Sequence, residues 1–380
     1  MRRQQVILAV VGAVLIALTF SACSAEQLAS LFPWRFAPTG AGKFVYVANH
    51  GTANVSGYTI NATSGALTAI SGSPFSSGVV SGPSDVATDP SGKFAYVLDD
   101  NGEVYGFTIN ATSGALTPVP SVDFPTSGAF PRGLGVDPSG KFVYVSNTSG
   151  DIDAWLINAS NGELTTITGA PFQTGCEGDE LAIHPLGTFL YVTDGECSEI
   201  HAYSINTSSG ALTEITGSPF NSGSGPRGIA VDPSGKFLYV VLGSDNVEAW
   251  AINATSGALT AVPGSPFATQ LDPVGIVIDP SGKFAYVANF DSSSISAYTI
   301  NATSGALTPM TGSPFSTGTG TQPRNLAIDP SGKFLWVTNS NVNNVAAFSI
   351  NTTSGALTLV SGSPFATGSD PRGVAVSPPF

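Results

Sequence analysis

The sequence predicts an all-β fold, a seven-bladed β-propeller. Three observations point to it: a repeat of nearly constant length, four strand-like runs inside each repeat, and one run displaced from the first repeat to the C-terminus. The phrase Asp-Pro-Ser-Gly-Lys-Phe-x-Tyr-Val, or its second half, recurs with its lysine at Lys43, Lys93, Lys141, Lys236, Lys283 and Lys333. Thr188 takes that place in the fourth copy. Successive spacings are 50, 48, 47, 48, 47 and 50 residues, and a period of this length in β-rich sequence is the signature of propeller blades.

The fifth repeat shows the elements in order. Runs 228–231 and 237–240 flank Asp232-Pro233-Ser234-Gly235, whose proline and glycine occupy the second and fourth places of a type I turn. Run 247–252 leads into Asn253-Ala254-Thr255-Ser256-Gly257 and then run 258–262, the glycine supplying the positive φ of a short hairpin loop. Asn-Ala-Thr matches a glycosylation sequon, but its recurrence in a turn favours a structural role. The second, third and fourth runs each occur seven times, starting at Phe44. The first occurs at Val86, Leu134, Leu181, Ile229, Ile276, Leu326 and Val374. Its missing N-terminal copy is supplied by Pro371-Arg372-Gly373-Val374-Ala375-Val376, so four antiparallel strands per blade are completed by a C-terminal strand that closes the ring. Closure removes the open sheet edges that invite aggregation.

A hydrophobic content of 42% over 380 residues is enough for a sizeable core. Charged residues make up 10%, the formal net charge is -13 and the pI is near 4.4. Phosphate binding needs a basic footprint, which excludes nucleic acid as a partner. The chain opens Met1-Arg2-Arg3, continues with an apolar run over 6–20 and then Ser21-Ala22-Cys23, a secretory signal layout over 1–22. The run is shorter than the roughly 20 residues a spanning helix needs. Phe20-Ser21-Ala22-Cys23 resembles the lipobox of bacterial lipoproteins, with Phe in place of the usual Leu, which implies lipidation at Cys23. A simple cleaved signal is the alternative. Residues 23–39 then form a tether and 40–380 the propeller. The expected setting is a monomer held by a lipid anchor alone on the bacterial cell envelope, facing periplasm or exterior.

In a propeller the first strand of each blade lines the channel, so the fourth-to-first crossings and second-to-third loops share one face, the ligand mouth. Arg132, Arg227, Arg324 and Arg372 each follow a proline at the start of a first strand, where the other blades have Ser84, Asp179 and Val274. All six lysines sit in the far-face turn. A partial arginine ring in an acidic protein suits a carboxylate or phosphate held at the mouth; the alternative is that each arginine ties neighbouring loops. A second ring, from the ends of the second strands, comprises Asn49, Asp99, Asn147, Asp194, Leu242, Asn289 and Asn339, placed to contact a polar ligand or to cap turns.

The fourth blade departs most from the repeat, with Glu177, Asp179 and Glu180 before its first strand and Asp194 and Glu196 in the following loop. Clustered carboxylates raise one another's pKa, which makes Asp179, Glu180 and Asp194 candidate catalytic groups. Asp179, Asp194 and Glu196 could also collect calcium, the one cofactor the pattern raises, or the carboxylates could pair with Arg132 and Arg227. His50, beside Asn49, is the one histidine placed for proton transfer at the mouth, whereas His184 and His201 read as structural. A hairpin folded about Pro185-Leu186-Gly187 sets Cys176 opposite Cys197, and in an exported chain that favours a disulfide over a metal or catalytic pair. The sequence contains no Gly-x-Ser-x-Gly elbow, zinc-spaced His/Cys set or phosphate-cradling glycine loop.

Across nearly all of 40–377, the repeat Pro-Arg-Gly-x-Ala-Val-Asp-Pro-Ser-Gly-Lys-Phe-x-Tyr-Val-x-Asn followed by Ser-Gly-Ala-Leu-Thr resembles the seven-bladed lactonase family. That family includes propeller 6-phosphogluconolactonases and overlaps with YVTN repeats such as Tyr46-Val47-Ala48-Asn49. Family lactonases begin one inner strand with Pro-Arg-His; here Arg132, Arg227 and Arg372 carry over and Gly133, Gly228 and Gly373 replace the histidine. The resemblance implies hydrolysis of an anionic sugar lactone. The competing expectation is a non-catalytic, envelope-anchored module or scaffold that binds a polymer or protein at the same mouth.

Overall fold

The computed structural model describes residues 42–76, 82–128 and 130–379; the signal peptide, Cys23 and the tether lie outside the described residues. Seven antiparallel sheets follow one another along the chain. The first blade joins Phe44–Asn49, Asn54–Ile60 and Leu67–Ala69 to Pro371–Val376, with Val45 opposite Val376 and Val47 opposite Val374. The other inner strands are Pro83–Thr88, Pro131–Val136, Gly178–Ile183, Pro226–Val231, Pro273–Ile278 and Pro323–Ile328. Each packs on the next, and Pro371–Val376 touches both Pro323–Ile328 and Pro83–Thr88, so the ring is closed by the C-terminal strand.

The second strands explain the Phe-x-Tyr-Val phrase. Every residue of Phe44–Asn49, Phe94–Asp99, Phe142–Asn147, Phe189–Asp194, Phe237–Leu242, Phe284–Asn289 and Phe334–Asn339 is buried. Neighbouring blades cover both faces, so the first four residues of each strand are apolar instead of alternating, and polar residues are confined to the last two. The tyrosine in it is a stitch between blades: Tyr46, Tyr96, Tyr144, Tyr191, Tyr239 and Tyr286 donate to the carbonyls of Gly114, Gly162, Gly210, Gly257, Gly305 and Gly355 at 2.7–3.0 Å. Those glycines end the Asn-Ala-Thr-Ser-Gly turn at φ near +75°, where a side chain would also strike the preceding blade's phenylalanine, as one on Gly114 would strike Phe44. The turn's asparagine accepts two backbone N–H groups, as Asn253 does from Thr255 and Ser256, which is the structural role expected of it.

The aspartate of Asp-Pro-Ser-Gly caps its own hairpin: Asp232 Oδ1 accepts from Lys236 N and Phe237 N, and Oδ2 from Ser234. In the fourth blade His184 does this work, its Nδ1 accepting from Leu186 N at 3.2 Å and its Nε2 meeting Gly235 O at 3.1 Å. Burial lowers its pKa below the ordinary histidine value.

The outer strand differs from the expected single run. In the third to seventh blades it is broken, and a two-residue segment such as Phe267–Ala268 pairs separately with the third strand. The break falls at Gly-Ser-Pro in the fourth to seventh blades, where the serine replaces the lost backbone acceptor, as Ser265 Oγ takes the Ala249 N–H at 3.0 Å, and at Gly169-Ala170-Pro171 in the third. The second blade lacks this phrase and keeps one long strand, Leu116–Pro125. Among the described residues no helix is long and apolar enough to cross a membrane.

Candidate active site at the channel mouth

The width of the channel is set at the third residue of each inner strand: Asp85, Gly133, Glu180, Gly228, Gly275, Asn325 and Gly373. The glycines permit close approach. A Cβ on Gly373 would lie 2.4 Å from Asp85 Oδ1, and one on Gly228 would lie 2.5 Å from Val274 O. The three non-glycine residues line a cavity of about 210 Å³, together with Ser84, Arg132, Arg324 and Arg372 on a polar arc and Ile229, Val274 and Ile276 on an apolar one.

Asp85 and Glu180 are the unusual pair. They stand on the second and fourth blades with Gly133 between them, so no side chain of the third blade separates them. Asp85 is partly open to channel water but walled in by protein. Burial pushes its carboxyl from 3.8 up to about 7, against the N–H groups of Val86 and Leu134 that favour its ionised form. Glu180 is raised well above the ordinary glutamate value, first by burial and then by the charges of Asp85 and Asp179, with Arg132 opposing. Two such coupled carboxyls titrate as a pair and retain a proton near neutral pH.

The arginines divide by their partners. Arg372 lines the cavity but is held by Asp100 at 3.0 Å and Asp370 at 3.2 Å. Arg227 pairs with Asp272 and does not reach the cavity. Arg324 stacks over the Phe290 ring, 4.8 Å from its centroid, and its buried Nε has no hydrogen-bond partner among the described residues. Burial, then the charge of Arg372, lowers its pKa. Arg132 is exposed, and among the described residues neither it nor Arg324 makes a close ion pair. Two guanidiniums without a close ion-pair partner among the described residues therefore line the cavity beside two protonatable carboxyls.

Several expected site residues sit elsewhere. Asn49, Asn147, Asn289 and Asn339 are fully buried, their amides bonded to Asn54 and Ser56, Asp151 and Asp153, Ser294 and Ser296, and Asn344. They brace their own hairpins and offer a ligand no surface. Asp194 is likewise fully buried, accepting from Cys197 N at 2.7 Å and lying 3.5 Å from His201 Nε2, so it is not a channel group. Burial raises its carboxyl, as it does that of Asp179, which accepts from Gly195 N at 3.1 Å while Arg132 draws it back down. Asp179, Asp194 and Glu196 do not form a ligand trio. Among the described residues the one close grouping is Cys176, Asp194 and Cys197, and its sulfurs are joined in a disulfide spanning 6.3 Å between Cα atoms. His50 lies outside the cavity, bridging Asp100 at 2.9 Å and Asp370 at 3.2 Å, so it braces the carboxylates that hold Arg372.

Asp85 and Asn325 were not singled out in the sequence. The available signal was register: aligning the seven inner strands puts glycine at the third residue in four of them and leaves Asp85, Glu180 and Asn325 as the departures.

The family model described as lactonase, 7-bladed beta-propeller, matches residues 76–177 and 180–369. The chain belongs to this lactonase family. No curated protein sequence matches it. Among solved structures, a candidate 6-phosphogluconolactonase from Bacteroides fragilis superposes on this lactonase-family propeller with a TM-score of 0.75 at 22% identity, covering 89% of this chain and 98% of that one. A second candidate 6-phosphogluconolactonase, from Bacteroides uniformis, gives 0.75 at 20% identity over 88% and 99%. The periplasmic gluconolactonase of Pseudomonas aeruginosa gives 0.74 at 20% over 88% and 99%. Likeness at this level of identity establishes the shared fold.

Proposed function

We propose that this lactonase-family propeller is an exported hydrolase of anionic sugar lactones that works at the channel mouth. The observation that carries the reading is the coupled Asp85–Glu180 pair in one cavity with Arg132 and Arg324. In the reaction the ionised carboxyl of the pair takes a proton from water, and the resulting hydroxide adds to the lactone carbonyl carbon. The carbonyl carbon to ring oxygen bond then breaks, and the protonated carboxyl gives its proton to the departing oxygen. The product is the open hydroxy acid, and its dissociated proton leaves to solvent. Arg324 and Arg132 hold the ligand's acid group or the developing oxyanion. The Cys176–Cys197 disulfide and the periplasmic setting of the Pseudomonas aeruginosa relative support a location outside the cytoplasm, with Cys23 as the proposed lipid anchor.

Replacement of the family's Pro-Arg-His by Pro-Arg-Gly favours a second reading, binding without turnover. Purified protein tested on neutral, uronic and 6-phosphorylated six-carbon lactones separates the two. Hydrolysis should fall at least about 100-fold in kcat/KM for Asp85→Asn and Glu180→Gln and fall for Arg324→Ala. Arg227→Ala, outside the cavity, should leave it unchanged. Turnover indifferent to Asp85→Asn and Glu180→Gln rejects the site, and affinity for the open acids without any turnover selects binding.

A further inference from the structure

A second cavity of about 350 Å³ opens on the mouth face and shares one wall with the first, since Arg324 lines both. Its other lining groups are Gln322, Ser340, Asn341, Asn343, Ser369 and Asp370. Beside it the repeat is interrupted: the crossing into the seventh blade covers residues 317–322, two residues more than the crossings at 222–225, 269–272 and 367–370.

The longer crossing is pinned. Ser340 N and Oγ both donate to Gln322 O, at 3.1 and 3.0 Å, Asn341 Nδ2 donates to Gly320 O at 2.8 Å, and Thr321 N donates to Ser293 Oγ at 3.1 Å. Asp370 N is fixed on Asn343 Oδ1 at 3.0 Å. These bonds occupy the asparagine atoms Asn341 Nδ2 and Asn343 Oδ1. No bond among the described residues uses Asn341 Oδ1, Asn343 Nδ2 or the Gln322 carboxamide. The groove thus presents neutral donors and acceptors on an ordered wall, with the Arg324 cation at its junction with the channel and one carboxylate, Asp370, that is already held by Arg372 and His50. Amides and hydroxyls in this mixture pair with the donor and acceptor oxygens of a polyhydroxylated ligand. A lipid would need an apolar lining and a nucleic acid several cations.

We infer that the groove is a second sugar subsite: the ligand is a glycosyl-extended sugar acid or its lactone, with the acid-derived ring in the channel and the next sugar across Arg324 on Gln322 and Asn343. The lactone form rests on the function proposed above, while the subsite itself does not. Because the wall is already ordered, little is lost in assembling it, and the added sugar should appear as affinity.

The test uses the mature propeller with gluconic acid and cellobionic acid, which cannot be turned over, in titration calorimetry. Cellobionic acid should bind at least tenfold more tightly. The advantage should disappear in Gln322→Gly and Asn343→Gly, where glycine suits the native φ of +52° and +55° and removes only the side chain. Gluconic acid affinity should not change in either variant, and the melting temperature should not change in Gln322→Gly; Asn343→Gly also removes the acceptor of Asp370 N, so its melting temperature should fall slightly. Equal affinities in the wild type, or an advantage that survives both substitutions, overturns the subsite. A companion assay compares hydrolysis of the two corresponding lactones. Absence of turnover there, with the affinity difference intact, sinks the hydrolase reading and leaves the subsite standing.

Discussion

At the residue scale, the chemistry gathers where a glycine position is not glycine. Gly133, Gly228, Gly275 and Gly373 let adjacent inner strands approach within contact of each other's backbone or side chains, and Asp85 and Glu180 then place carboxyls in the narrow space this creates. Desolvation in such a space disfavours charge, so the folded state binds protons that the unfolded chain has lost. For Asp85 the interval runs from 3.8 to about 7. Within it the native state holds more protons than the unfolded state, so stability is greatest at the acid end and is lost as pH rises. Asp85→Asn removes this contribution. Melting curves between pH 4.5 and 7.5 should therefore fall less steeply with pH for the variant than for the wild type; a steeper or identical decline would show that Asp85 ionises freely. The residue positions of this site were half legible. Arg132, Arg324, Arg372 and Glu180 stood out by type, but Asp85 was one acidic residue in an acidic chain until strand register gave it meaning. Asn49, Asn147, Asn289 and Asn339 misled because a residue at the end of a strand on the mouth face can still point along its own hairpin, which alternation alone does not resolve.

At the element scale, the repeated phrase is a set of hydrogen-bonding solutions. Asp-Pro-Ser-Gly satisfies one hairpin's N–H groups, Asn-Ala-Thr-Ser-Gly another's, and each tyrosine hydroxyl ties a second strand to a turn of the next blade. The seventh copy lacks this tie, because Trp336 stands in the tyrosine's place and its buried indole N–H has no partner among the described residues. The strand count was readable because these phrases punctuate it. The split of the outer strand was not, because the serine's role at Gly-Ser-Pro depends on a third-strand N–H that is remote in sequence, such as Ala249 N for Ser265.

At the scale of the whole molecule, closure depends on the last strand. Pro371–Val376 pairs with Phe44–Asn49 and brings Arg372 to the channel beside Arg324. Each backbone bond of that pairing contributes about 1 kcal/mol net, and its loss would also leave an open sheet edge. Deleting residues 371–380 should lower the melting temperature by well over ten degrees or produce oligomers in light scattering; an unchanged monomer with unchanged melting would deny that the ring depends on this strand. The central claim is that the closed ring assembles one site from Asp85, Glu180, Arg132 and Arg324, and a crystal structure soaked with the open acid of a hydrolysed sugar lactone tests it most directly. The acid should lie in the channel mouth with its carboxylate on Arg324 or Arg132 and a hydroxyl within hydrogen-bond distance of Asp85 or Glu180. An acid bound away from the channel, with those four side chains untouched, would contradict the account.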